Sequence, residues 1–347
     1  MKSLKNILNI TYPIVQAPML GVTSAAMVAA VSNAGALGSL PLGGLSPEKA
    51  RELIRATKAL TDQTFSVNLF AHSPAKEIST VHIDAMQDFI AELCAEFDIP
   101  FEKQDLASFH FYYYQDLIDV IIEESVAVVS FTFGELNADV VSSLKNNGSI
   151  IIGTATCVAE AKALAQSGTD IITVQGAEAG GHRGSFLSDG NLPQVGLFSL
   201  LPQVSDELTL PLLAAGGIYN AKTVKAAFAL GAMGIQVGSL FIPAEESLAS
   251  EAYKKSVLQA EDTSTTLTRA FSGKWARGIE NQLMTRMASK GLSIPYYTFQ
   301  NQLMAKIRSH AQLNNLTDFI ALWAGQSAGK SVHSSTHQII TKLIAML

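Results

Sequence analysis

The stretch that decides the fold runs from Ser149 to Gly184, SIIIGTATCVAEAKALAQSGTDIITVQGAEAGGHRG. Two short β-branched runs, 149–154 and 170–175, bracket a segment with Val158, Ala161, Leu164 and Ala165 on one helical face. Thr156 is placed to cap that helix and Gly168 to stop it. Neither run alternates apolar with polar. Strands of that kind are buried on both faces, as in a parallel sheet covered by helices.

The unit recurs outward in both directions. Runs at 13–19, 36–42, 65–70, 127–133, 149–154, 170–175, 210–215 and 234–241 read as eight strands. Ser46, with Pro47 behind it and Glu48 in the first turn, starts a helix reaching about residue 60. Asn220 starts another that reaches Leu230 and stops at Gly231. Eight strands with crossover helices predict an α/β fold, a (β/α)8 barrel. The alternative, a doubly wound open sheet, carries a glycine fingerprint at its first turn. Here the first strand ends in Gln16-Ala17-Pro18-Met19 instead.

Two segments exceed the minimal unit. Residues 71–126 form an insertion with a helical pattern at 84–97, an aromatic run at 109–114 and a helix ending near Ser125. Residues 244–347 read as a small, mostly helical cap domain plus terminal helices, some of which pack back on a barrel spanning 1–243. One further strand is expected at 266–271.

The chain has 347 residues, 48% apolar and 16% charged, enough to bury a large core. A net charge of −6 argues against nucleic acid as a partner. Residues 6–47 carry no charge, but Pro13, Pro18 and Pro41 break any span of about 20 apolar residues. No secretory leader is legible, which predicts a cytoplasmic protein. Cys94 and Cys157 read as small hydrophobes, and no metal-ligand spacing is present.

Chemistry concentrates at strand ends. Gln175-Gly-Ala-Glu-Ala-Gly-Gly-His-Arg-Gly184 places Gly180, Gly181 and His182 directly after a strand, where glycines let backbone approach a flat or phosphorylated ligand. Glu178 is expected to hold this loop through backbone N–H groups. Gly216 and Gly217 follow the seventh strand, and Gln236, Val237, Gly238 and Ser239 end the eighth. Loops at those two places bind phosphate in such barrels. Asn68, inside an apolar strand, needs partners that a heteroaromatic ring edge could supply, as could Gln175. Gly325-Gln-Ser-Ala-Gly-Lys-Ser331 imitates a nucleotide phosphate loop but has one residue too few, and it follows an apparent helix.

Taken in order, Pro13-Ile-Val-Gln-Ala-Pro-Met19, Ser32-Asn-Ala-Gly35, the 175–184 loop, Ala214-Ala-Gly-Gly-Ile218 and Gln236-Val-Gly-Ser239 resemble nitronate monooxygenase, formerly 2-nitropropane dioxygenase. Arg269-Ala-Phe-Ser-Gly273, Ala276-Arg-Gly278, Gln300-Asn301 and Trp323-Ala-Gly-Gln326 resemble its larger, bacterial and fungal class. The resemblance implies an FMN-containing barrel under a cap. It also implies oxidation of alkyl nitronates, propionate 3-nitronate foremost, by oxygen through a flavin semiquinone, with detoxification as the role. By matching positions, Ala17, Pro18, Met19, Asn68, Gln175, Gly180, Gly181, Gly216, Gly217 and Gln236 to Ser239 would hold FMN, and His182 would be catalytic. Ser239 stands where the pattern has threonine, but keeps the hydroxyl. Tyr112 to Tyr114, Tyr296, Tyr297 and Lys306 are candidates for the substrate carboxylate. His182 could act as an imidazolium that binds the anion or as a neutral base. A flavin-dependent enoyl-acyl carrier protein reductase using NAD(P)H shares the barrel and the Gly-Gly-His loop, and is the alternative. A flavoprotein that binds without turnover is a third reading. The implied state is a monomer or homodimer acting on a small nitronate and oxygen.

Overall fold

The computed structural model describes residues 3–73, 80–187 and 192–347. Its strands are β1 (Ile14–Gln16), β2 (Gly38–Pro41), β3 (Phe65–Phe70), β4 (Val128–Thr132), β5 (Ile150–Ala155), β6 (Ile171–Gln175), β7 (Gly181–His182), β8 (Leu212–Ala215), β9 (Gly234–Val237), β10 (Thr265–Thr268) and β11 (Ala276–Ile279). All but β7, β10 and β11 form one parallel sheet in the order β1-β9-β8-β6-β5-β4-β3-β2. Its ends nearly meet. Leu37 N–H donates to Ile14 O and Gln16 N–H to Leu37 O, both at 2.9 Å. The buried Gln16 side chain completes the seam, its Oε1 accepting from Ser39 N–H at 3.0 Å. Eight parallel strands thus make a nearly closed (β/α)8 barrel.

The helices are α1 (Leu4–Leu8), α2 (Ala25–Asn33), α3 (Pro47–Lys58), α4 (Thr80–Glu96), α5 (Ile118–Glu123), α6 (Ala138–Asn146), α7 (Val158–Gln166), α8 (Leu197–Glu207), α9 (Ala221–Ala229), α10 (Glu251–Leu258), α11 (Gln282–Lys290), α12 (Phe299–Leu303), α13 (Ala305–Leu313) and α14 (Thr336–Ile344). Ser46 and Asn220 cap α3 and α9 through their side-chain oxygens, as their positions predict. Leu4 and Leu8 of α1 pack on Val15, Leu37, Val128, Ile152, Ile171 and Leu213, closing one end of the barrel.

Among the element ends that differ from expectation, three have a clear local reason. The first strand stops at Gln16, so Ala17, Pro18 and Met19 leave the sheet as a loop, where Pro18 has no N–H to pair. The eighth stops at Val237, and Ser239–Phe241 forms a 3-10 turn closed by Phe241 N–H on Gly238 O at 2.9 Å. Cys157, not Thr156, occupies the cap position of α7. Thr156 instead gives its N–H and hydroxyl to Glu160, each at 2.7 Å.

A second apolar cluster lies apart from the barrel core. It joins Ile83, Met86 and Ile90 of α4 to Phe271, Met284, Leu303 and Ile307. The insertion, of which 74–79 lie outside the described residues, therefore shares its core with helices after residue 243. The last helix, α14, turns back and buries Ile339, Ile340 and Leu343 in the barrel core. β10, β11 and β7 form a small antiparallel sheet, Ala276 opposite His182 and Arg277 opposite Gly181. β11 was not legible beforehand. It brings the second cluster's chain onto the barrel loop that holds the histidine.

Glu160 is fully buried, and its carboxylate also accepts from Phe186 N–H at 2.7 Å and Leu187 N–H at 3.3 Å. Its place in the first turn of α7 favours the negative charge. Glu160→Ala would orphan these donors and should lower unfolding free energy by roughly 3 kcal/mol. Urea melts of the two proteins measure this; a change below about 1 kcal/mol contradicts the assignment.

Candidate active site

The loop after β6 is held on every side. Gln175 Nε2 donates to His182 O at 2.9 Å, and its Oε1 accepts from Gly184 N–H at 2.9 Å. Glu178 receives Leu197 N–H at 2.9 and 3.0 Å, the loop-holding role its position predicts. Arg183, 2% exposed, donates to Gly176 O at 2.5 Å and Gln175 O at 3.1 Å. Arg277 of β11 reaches Ala177 O at 2.9 Å. Gln175 thus spends half its amide on the loop, leaving one N–H and one lone pair for a ligand.

These residues open on a cavity of about 510 Å³ at the ends of the barrel strands. Ala17, Pro18, Met19, Asn68, Gln175, Gly180, Gly181, His182, Gly216, Gly217, Gln236, Val237, Gly238 and Ser239 all line it. Asn68 Nδ2 donates to Ser130 Oγ at 2.9 Å. Of the candidate carboxylate binders only Tyr297 lines the cavity. Tyr296 is 64% exposed and Lys306 is also exposed. Tyr114 is buried with its hydroxyl accepting from Asn137 N–H at 3.2 Å, Tyr112 packs on His110, and Tyr113 packs on His72.

The loops after β8 and β9 have the features of an anion cradle. Gly216 and Gly217 take φ of +115° and +68°, conformations that glycine adopts freely. Among the described residues nothing accepts from the backbone N–H of Gly217, Gly238 or Ser239. Unsatisfied donors grouped at a cavity wall fit a phosphate. Ser239 Oγ is itself engaged, accepting from Gly325 N–H at 3.0 Å, and Ser239 O accepts from Ser331 Oγ at 3.1 Å. The segment resembling a nucleotide loop thus forms the cavity's far wall, Gly325 and Ser327 included. It follows a bridge between Trp323 and Gly278, not a helix running to Trp323; only the short 3-10 turn Thr317–Phe319 precedes it. A side chain at Gly180 would meet Gly325 N at 2.4 Å, which explains why glycines face each other there.

His182 sits at the aromatic end. Its ring lies 5.4 Å from Phe133 and from Trp323 and 6.3 Å from Tyr297, centroid to centroid. Phe133 adopts φ +80°, a strained conformation for a bulky residue, held by packing on Phe70 at 4.8 Å. His182 Nε2 is 2.7 Å from Ser272 Oγ. Nδ1 has no partner among the described residues, and the ring's open part faces the cavity. Burial, then the charges of Lys274 and Arg308, push the His182 pKa down to about 3. All three causes disfavour the charged form of the ring.

The family model for nitronate monooxygenase matches residues 1–346. The chain belongs to the nitronate monooxygenase family. It is 38% identical to a probable nitronate monooxygenase of Staphylococcus saprophyticus over 97% of this chain and 95% of that one. A Staphylococcus aureus relative of the same description is 37% identical over 98% and 96%. A nitroalkane oxidase from Streptomyces ansochromogenes matches with a TM-score of 0.91 at 30% identity, covering 100% of this chain and 98% of that one. FabK from Thermotoga maritima matches with a TM-score of 0.77 at 26% identity, over 100% and 96%. The family makes the chain an oxidoreductase. No helix among the described residues is long and apolar enough to cross a membrane.

Sequence reading missed Ser272 as the histidine's partner and Arg308 as a cavity residue. Ser272 lay within a quoted motif with no sign of its direction. Arg308 lies on α13, where nothing in the pattern separates it from a solvated arginine.

His72, buried beside Tyr297, is pushed down to about 4 by burial and then by Lys274. Unfolding frees both rings to take protons near pH 6.5, whereas folded they resist until about pH 3 and 4. Stability held above pH 6.5 is therefore lost on acidification, by on the order of 2 kcal/mol per ring between pH 7 and pH 5. His72→Phe should shrink that loss in urea melts at the two pH values; an identical loss in wild type contradicts it.

Proposed function

We propose that the chain is an FMN-dependent enzyme oxidising alkyl nitronates with molecular oxygen, propionate 3-nitronate foremost, in a detoxifying role. It would work in the cytoplasm as a monomer or homodimer. The observation that supports this best is a Ser272-held His182 in the same cavity as a cradle of free backbone donors. Bound there, FMN would supply the one-electron chemistry. The N–H groups of Gly217, Gly238 and Ser239 would hold its phosphate. Gly180, Gly181 and Gly216 would let backbone approach it, with Ala17 to Met19, Gln236 and Val237 along its edges. Asn68 and Gln175 would meet its ring with their remaining polar atoms. One phosphate cradle and no dinucleotide fingerprint favour FMN over FAD.

The chain's own residues then act on substrate. Phe70, Phe133, Tyr297 and Trp323 exclude water from the reacting carbon. His182 Nδ1 is the ring atom left without a protein partner. With Ser272 accepting from Nε2–H, Nδ1 carries the lone pair that can take the carbon proton of a neutral nitroalkane. For a nitronate, already ionised, His182 contributes orientation only. The enoyl reductase reading has weak support in the likeness to FabK, at 26% identity.

Gly217→Val should lower flavin content several-fold below wild type, because a β-branched residue is strained at φ +68° and would shift the backbone N–H that would hold the phosphate. Full occupancy would remove the phosphate assignment, and FAD released on denaturation would remove FMN. His182→Asn should keep flavin and lose kcat/KM by about 10²–10⁴-fold on neutral nitroalkanes, with a smaller loss on preformed nitronates. Equal activity of wild type and variant at full occupancy would make His182 structural.

A further inference from the structure

A second cavity lies outside the active site. It is an open groove of about 560 Å³ beside the small β10-β11-β7 sheet, and it shares no lining residue with the cavity at His182. Strand alternation explains the separation. His182 stands opposite Ala276 on one face of the small sheet, whereas Trp275 and Arg277, on either side of Ala276, belong to the other face. Across β10, Thr265 pairs with Ile279 and Leu267 with Arg277, so they share that second face. Trp275, Arg277, Thr265, Leu267 and Gln194, which precedes α8, all line the groove.

Two groups in this groove are not spent on the fold. Arg277 is 7% exposed; its Nε donates to Ala177 O at 2.9 Å and its Nη1 to Thr265 O at 3.1 Å. Among the described residues its Nη2 has no hydrogen-bond partner and its charge no ion pair. An enclosed guanidinium thus keeps two N–H donors free, a costly arrangement unless something accepts from them. The charge of Arg277 also helps depress the neighbouring Arg183, whose buried Nε likewise lacks a partner. The carboxylates that oppose this, Glu160 and Glu178, are taken up by backbone N–H groups and bond to neither guanidinium. The second group is Trp275, 39% exposed and without a hydrogen-bond or ring partner among the described residues. Trp323, by contrast, packs on Phe271 and His182. An open indole face can receive a planar ring.

We propose that this groove is a second ligand site, for a planar aromatic ring that carries an anionic group, with the ring on Trp275 and the anion on Arg277 Nη2. Residues two apart along a strand stand about 7 Å apart, so a linker joins ring and anion. The Thr265 hydroxyl and the Gln194 amide offer that linker polar partners. A ring, a hydroxylated linker and an anion, in that order, describe a nucleoside monophosphate, the ligand class the groove fits. Arg277 keeps its bonds to Ala177 and Thr265 while Nη2 is used, so the site fills without releasing the loop after β6. The groove is independent of the chemistry at His182.

The experiment is calorimetry on the flavin-loaded protein with adenosine 5′-monophosphate, adenosine and inorganic phosphate as probes. The monophosphate should bind with flavin retained, and the other two more weakly by about tenfold or more. Absence of monophosphate binding at millimolar concentration overturns the proposal. Adenosine binding as tightly would leave Arg277 without an anion, and phosphate binding as tightly would leave Trp275 without a ring; either result overturns it. Release of flavin would place the nucleotide in the flavin's cradle and overturn it too. Trp275→Ala removes the exposed ring and leaves Arg277 in place. It should weaken the monophosphate by about tenfold or more at unchanged flavin content, and equal affinity overturns the proposal. Arg277→Gln should bring the monophosphate down to adenosine's affinity, and an undiminished affinity contradicts the anion's place. Where loss of the Ala177 contact costs Arg277→Gln its fold, Trp275→Ala and the adenosine comparison still decide.

Discussion

Three backbone contacts hold the centre of this molecule together. His182 lies opposite Ala276, Gly181 lies opposite Arg277, and Arg183 N–H donates to Trp275 O at 2.8 Å. Without that antiparallel seam the glycine-rich loop after β6 would have no fixed course, since glycines impose none. With it, the loop becomes a strand of a second sheet. Arg277 then reaches through to the Ala177 carbonyl, and Ser272 reaches the His182 ring. The histidine's place is therefore set jointly by the barrel and by the chain that packs over it.

The same arrangement accounts for the histidine's chemistry. A ring enclosed by Phe133, Tyr297 and Trp323, and faced by uncompensated cations, loses the stabilisation that water would give its charged form. Its pKa is pushed down, which favours the neutral ring.

The barrel was legible because parallel strands are buried on both faces and read as continuous apolar runs. β3 matched residue for residue, and the runs around it differed only at their ends. The ends moved where local chemistry outweighs pattern: Pro18 cannot pair, and Gly238 starts a 3-10 turn. Thr156 looked like a cap but serves the buried Glu160, a tertiary demand that no local signal announces. The cavity's glycines and His182 were legible because barrels gather chemistry at strand ends. β7, two residues long, and its partner β11 were not, because so short a pairing leaves no periodicity to read. Arg308 was hidden for a related reason: whether a helical cation meets water or a cavity depends on packing between distant segments.

The account's central claim is that this cavity carries out flavin-dependent oxidation of nitronates. Its most direct test is anaerobic mixing of the purified, flavin-loaded protein with propionate 3-nitronate, and separately with NADH, while flavin absorbance is followed. The account predicts that the nitronate alone changes the flavin spectrum, that admitting oxygen restores it, and that NADH leaves it unaltered. Rapid reduction by NADH with no response to the nitronate would contradict the account and assign the cavity to a reductase.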